Sequence, residues 1–281
     1  MVRRIFILNV GLMLILGLVG GLVVGCGGDG GTRPDTTTTP SVSVTFPAGG
    51  TIFIGNAVQL AAQETLSDGT TRNATNAATW TSDAPNVATV SSTGLVTAVG
   101  AGQATISAAV NPTGAMLLRV FPNFDGSWAG NDVVAGCQDS GVFEGACADP
   151  GLAVGEVFTH RSMFTQTEAS VNAVIEGGDG DTATTTGNIT VGGLLELPST
   201  PFLPADPVVN TQLQNWRSRA DTPSQMTGTY ELFLTAPGVD GSVTAMVRLQ
   251  NVVKTSATSR TDGNTFQQTL RRISIHLEAL R

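Results

Sequence analysis

The chain has 281 residues, 13% of them charged, and a formal net charge of −8 at pH 7. Its only lysine is Lys254, so there is no basic stripe for phosphates, and nucleic acid is excluded as a partner. Gly, Thr, Ser, Ala and Val are abundant and long amphipathic helices are absent, a balance common in exported β proteins; the length suits two ordinary domains.

Arg3 and Arg4 precede an uncharged run, Ile5 to Val24, rich in Leu, Ile, Val and Gly. This is the layout of a secretory signal. The run is also long enough to cross a bilayer as a helix of about 30 Å. Small Gly25 before Cys26, and the flexible Gly27-Gly28-Asp29-Gly30-Gly31 after it, favour cleavage instead. Val23-Val24-Gly25-Cys26 resembles the lipobox of bacterial lipoproteins. The resemblance implies that residues 1–25 are a signal peptide and that Cys26 is lipidated on its sulfur, with palmitate-type chains. Each buried CH₂ then contributes about 0.8 kcal/mol to membrane anchoring. Gly27, where inner-membrane lipoproteins often carry Asp, leans towards the outer membrane. Arg3-Arg4-Ile5-Phe6-Ile7 loosely resembles a twin-arginine signal, but the very apolar core argues for the general secretory route. The mature chain would keep 281 − 25 = 256 residues, with a charge of 12 − 22 = −10.

Residues 26–40 read as the lipidated cysteine and a solvated tether, with Thr36–Thr39 and Pro40 extended. From Ser41 the pattern becomes period-two: Val42 and Val44, then Val58, Leu60 and Ala62, then Trp80, Val87 and Val90. Leu95, Val96 and Val99 follow, then Ala104, Ile106 and Ala108, and finally Leu118 and Val120. Such segments between turn residues predict a β-sandwich over 41–121. Trp80 should plug its core, Gly94 suits a tight turn, and Gly102 should open the next strand in the same way. The strings Trp80-Thr81-Ser82-Asp83, Val87-Ala88-Thr89-Val90-Ser91, Gly94-Leu95-Val96-Thr97-Ala98 and Ala101-Gly102-Gln103-Ala104-Thr105-Ile106 resemble the bacterial immunoglobulin-like domain of group 2, which includes intimin- and invasin-type modules. The resemblance implies a rigid spacer or adhesion platform without catalysis.

Residues 122–281 open on Phe124-Asp125-Gly126-Ser127-Trp128. Strand-like segments recur at 157–166, 170–175, 184–191, 228–235, 242–253 and 272–277, with a hairpin turn at 177–181. The whole chain is therefore expected to be all-β: an immunoglobulin-like sandwich followed by an antiparallel meander that closes into a β-barrel. Gly126-Ser127-Trp128 resembles the Gly-x-Trp that opens lipocalin-like barrels. The plainer reading is a tryptophan capping one end of a β core. Such a barrel is either solid or holds one small ligand.

With Cys26 taken by lipid, Cys137 and Cys147 form an even pair ten residues apart, which predicts one disulfide. The alternative is two free thiols or half a metal site. His160 and His276 read as surface or barrel-face residues, too scattered for zinc. No Gly-x-Ser-x-Gly elbow or phosphate-cradling loop occurs. Glu176, Asp179 and Asp181 cluster at a turn but fall short of the six to eight oxygens that calcium takes, roughly speaking. Glu144, Glu156 and Glu168 are carboxylates that could pair only if the fold brings them together. Arg217 and Arg219 share one strand face and either grip an anion or balance an acidic surface. No catalytic residue, metal ligand or cofactor is read from the sequence, and the ligand-binding residues are unknown. The expected function is a non-enzymatic, lipid-anchored envelope protein whose spacer presents a β domain for protein or glycan contact. The alternative is a lipocalin-like carrier of a small apolar ligand.

Overall fold

The alternation read from the sequence becomes strand over most of the residues that the computed structural model describes: 38–47, 49–177, 181–203, 208–256 and 272–275. The leader, Cys26 and the tether up to Thr37 lie outside the described residues, as does His276.

Ten short strands build the first part: β1 (Ser41–Thr45), β2 (Thr51–Phe53), β3 (Ala57–Gln59), β4 (Ala61–Thr65), β5 (Thr71–Asn73), β6 (Thr79–Ser82), β7 (Ala88–Val90), β8 (Leu95–Ala98), β9 (Gly102–Ala109) and β10 (Thr113–Phe121). They form three sheets, ordered β1-β4-β5, β2-β10-β9-β6 and β3-β8-β7. All pairings are antiparallel except β2 with β10. One residue of each alternating pair faces inward, so Leu60, Val96, Ile106, Leu118 and Val120 are fully buried. Trp80 packs among them and donates Nε1–H to the Thr75 carbonyl at 2.8 Å, which satisfies its one polar atom. The ring lies against Gly94, whose φ is +81°; a Cβ there would sit 2.8 Å from Cζ2 of Trp80. Glycine is required at this position on both counts.

Nine strands follow: β11 (Gly126–Gly141), β12 (Val157–Thr167), β13 (Ser170–Glu176), β14 (Thr182–Ile189), β15 (Leu195–Leu197), β16 (Thr200–Leu203), β17 (Asn210–Thr222), β18 (Gln225–Thr235) and β19 (Gly241–Thr255). Each pairs antiparallel with its sequence neighbour, apart from β15 and β16. Those two both lie between β14 and β17, as halves of one broken strand. Pro198, which has no N–H to give a ladder, sits at the break. β11 pairs with β19, and β13 with β14, so the sheet closes on itself with eight strand positions. Closure removes every edge. Two bulges interrupt the β11–β19 pairing: one on β19 around Asn251, whose φ is +54°, opposite Ala129/Asn131, and one on β11 between Val134 and Gly136.

The residues expected to form a strand over 272–277 include Arg272–Ile275, and these are helical. Ile273 at 5% exposure packs into the barrel core, so this segment covers the barrel rather than extending its wall.

The two cores meet at Val120 and Phe121, the first belonging to the sandwich and the second to the barrel. Gln166 clamps the junction. Its amide donates to the carbonyls of Pro122 (3.1 Å) and Glu168 (2.8 Å), and its Oε1 accepts from the Phe124 N–H at 2.7 Å. Phe53 packs on the barrel core, and the Gly193 turn touches Ala101. This end is the near end of the barrel. β11 carries the chain to the far end, which is closed by the 142–156 loop, with Phe143, Ala146 and Leu152 buried.

Gly94→Ala is expected to lower stability by about 1–3 kcal/mol, through backbone strain and the clash with Trp80. Urea denaturation followed by tryptophan fluorescence measures it, and an unchanged midpoint would contradict this account of the turn.

Candidate functional site

The inward face of β12 presents Phe158, His160, Ser162 and Phe164, all buried. Asp132 points inward from the neighbouring β11 and is 4% exposed. The three polar side chains are linked. His160 Nδ1 lies 3.1 Å from Asp132 Oδ2, and Nε2 lies 2.9 Å from Ser162 Oγ. The carboxylate can only accept, so Nδ1 carries a proton. This is the serine–histidine–aspartate order of a nucleophilic triad. The surroundings differ from those of a nucleophile. His160 is 0% exposed and Ser162 4%, so Oγ is shielded from solvent.

Aromatic rings enclose the group. Trp216 stacks on Tyr230 with centroids 5.2 Å apart and planes 20° apart, and His160 lies 5.9 Å from Trp216. Trp216 donates Nε1–H to Ser218 Oγ at 2.9 Å. Phe164 and Phe124 continue the packing towards the near end by edge-on contacts. Asp132 Oδ1 is buried and has no hydrogen-bond partner among the described residues. Burial, and next the Asp132 charge, push the Tyr230 hydroxyl well above its usual pKa. The cluster therefore acts as a buried polar layer inside a packed barrel. A partly satisfied network of this kind depends on every member, because a charge left alone in the interior is costly.

His160, expected on the surface or on a barrel face, lies on the inward face at the centre of the barrel. Asp132, Ser162, Trp216 and Tyr230, its partners, carry no sequence motif. The one available signal was polar residues at inward-phased positions of strands otherwise apolar on that face.

Trp128 fills the near end, 1% exposed, donating Nε1–H to the Phe124 carbonyl at 2.7 Å. Lys254 Nζ lies 5.1 Å above its ring, and partial burial lowers the Lys254 pKa. This geometry is that of a tryptophan capping a β core.

Cys137 and Cys147 are joined in a disulfide with Cα atoms 5.6 Å apart. Asp139 Oδ2 ties the same loop by accepting from the N–H groups of Gly145 (3.0 Å) and Cys147 (2.9 Å). The bridge holds the loop that closes the far end.

The remaining candidates separate. Arg217 and Arg219 do share an outward face, but each has a partner in this chain. Arg217 Nε lies 3.4 Å from Glu196 Oε1, and Arg219 donates to the Gly192 carbonyl at 2.8 Å. Glu144 and Glu156 flank the far end, whereas Glu168 sits in the β12–β13 turn at the near end, so the three do not form one acid–base pair. Asp179 lies outside the described residues, and no group of three metal-ligating side chains occurs among the described ones. No helix among the described residues is long and apolar enough to cross a membrane.

Residues 38–117 match the family model described as Bacterial Ig-like domain (group 2). This part of the chain is a bacterial Ig-like domain of group 2. Such domains occur in surface or extracellular bacterial proteins. The chain is also 35% identical over 101 residues to Ice-binding protein 1 of Shewanella frigidimarina (strain NCIMB 400), a stretch covering 34% of this chain and 11% of that protein. The segment that follows this domain, Pro122 to Phe124, is the part that Gln166 ties to the near end of the barrel.

Tyr230 is the chain's one tyrosine, so tyrosinate absorbance reports it alone. Its folded pKa is raised. The stability linked to it is fully present below the unfolded value of about 10 and is lost as pH rises through the folded value. The native protein should show no tyrosinate at pH 10 to 11, on the order of the unperturbed pKa, until it unfolds. Titration with an ordinary midpoint in folded protein would contradict the burial. Replacing both Cys137 and Cys147 by Ser should lower stability by about 2–3 kcal/mol in urea denaturation. No loss would show that the far-end loop holds without its bridge.

Proposed function

We propose that this protein is a lipid-anchored, non-enzymatic component of the bacterial cell envelope. In this reading the Ig-like domain is a rigid spacer and the barrel is the part presented to partners. The observation that carries it is the barrel's construction: an inner wall filled by rings and aliphatic side chains, closed by the Ig-like domain at one end and by the disulfide-tied loop at the other. Contacts with partners then fall on the outside.

Protein is favoured over glycan as the partner. All three tryptophans and Tyr230 are buried, and no described aromatic side chain is fully exposed, which supports protein over sugar, since sugars stack on exposed rings. A carrier of small apolar ligands would need space along the inner wall. Inward residues such as Val171, Ala173, Leu195, Leu213 and Val247 are 0% exposed, which leaves no solvent-sized gap beside them. The anchor rests on the Val23-Val24-Gly25-Cys26 sequence and the apolar leader before it, and the outer membrane is favoured by Gly27.

Expression in a bacterial host with radiolabelled palmitate tests the anchor. The native chain should take up label and sediment with membranes, while Cys26→Ser should remain unprocessed and unlabelled. Label retained in Cys26→Ser, or native chain released in soluble form, would overturn it.

A further inference from the structure

The far end of the barrel holds a cleft of about 310 Å³, lined by Phe143, Glu144, Ala146, Asp149, Arg272 and Ile273 among others. Its walls come from two segments: the disulfide-tied loop and the helical turn at 272–275. The floor is apolar and firm, because Phe143 and Ile273 are anchored in the barrel core at 3% and 5% exposure. The same two segments carry the two most exposed large aliphatic side chains described, Val154 at 68% and Ile275 at 67%. Exposing both costs hydrophobic free energy that a partner would recover on docking.

The charged side chains that line the cleft are Glu144, Asp149 and Arg272, an excess of one carboxylate. Asp149 faces Arg272 loosely, with Oδ1 and Nη1 3.8 Å apart. The carboxylates of Glu144, Glu156 and Asp240 belong to the same end and have no ion-pair partner among the described residues. An apolar floor inside an acidic rim complements an aliphatic or aromatic side chain flanked by Lys or Arg. The position suits presentation too. β11 alone runs 16 residues from the Ig-like domain to this end, roughly 50 Å of chain at about 3.3 Å per residue.

We propose that this far-end cleft is the docking site for an extended segment of a partner protein, with one apolar anchor side chain in the cleft and basic residues over Glu144 and its neighbours. The proposal rests on the reading of the barrel as an interaction module and supplies the chemistry of its partner. The disulfide then has a second task, holding the receiving loop in shape before the partner arrives.

The test uses the full chain, purified oxidised in detergent. A phage-displayed library of random twelve-residue peptides is selected against it, and the enriched peptides are synthesised for fluorescence polarisation. The expected peptides carry an apolar residue beside Lys or Arg and bind with an affinity that falls as salt rises. Binding should weaken at least tenfold in Glu144→Lys and in Ile275→Asp, both surface changes that leave the core intact. Arg217→Ala on the distant wall should leave it unchanged. Selection of no peptide, of acidic peptides, or of peptides indifferent to Glu144→Lys and Ile275→Asp would overturn the site. Failure of the palmitate experiment would remove the envelope anchor and leave this result standing, so the two readings fail separately.

Discussion

The pairing of β11 with β19 is the constraint on which the rest of the barrel depends. Once first and last strands are joined, every second residue of every strand is committed to an enclosed interior. Apolar positions gain from that commitment, and polar ones must find partners inside. His160, Ser162, Trp216 and Ser218 meet this demand, and Asp132 meets it with Oδ2 but not with Oδ1. The bulges in β11 and β19 belong to the same closure. Trp128 and Asp132 face inward by plain alternation, while the irregularities opposite Ala129/Asn131 and at Val134/Gly136 let the two strands turn with the barrel.

A serine, a histidine and an aspartate in hydrogen-bonded order are not by themselves an active site. A nucleophile must meet its substrate, and the catalytic benefit of the arrangement lies in charge that develops on an accessible reacting group. Here Trp216, stacked on Tyr230 and tilted against His160, packs beside the group. The hydrogen bond between His160 and Asp132 fixes how β12 and β11 face one another at mid-barrel. Removing His160 would take from the buried Asp132 carboxylate its ion-pair partner and leave it beside Tyr230, so the pair is held in place by the cost of breaking it.

The sandwich was largely legible because its strands are short, cleanly alternating and separated by glycine turns. Leu60, Ile106 and Leu118 face inward where their phase puts them, and Gly94 sits under Trp80. The barrel was legible on strands β12, β13, β14, β18 and β19. It was hidden between Leu195 and Thr222 for local reasons. β15 and β16 are three and four residues long on either side of Pro198. In β17, Asn215 takes a φ of +52° at a register shift, so Leu213 and Trp216 face inward three residues apart and the period of two is lost. The buried cluster was hidden for a different reason: a polar residue at an inward position looks, in one dimension, like an outward residue. The disulfide was legible from parity alone. That its loop closes the far end was not, since the pairing says nothing of where Phe143 and Leu152 are buried.

The account's central claim is that the barrel is solid and works from its outside. Native mass spectrometry of the chain purified from an oxidising compartment tests it most directly. The account predicts the mass of protein and anchor alone, two hydrogens lighter than the reduced chain. Additional non-protein mass that leaves on denaturation would contradict it.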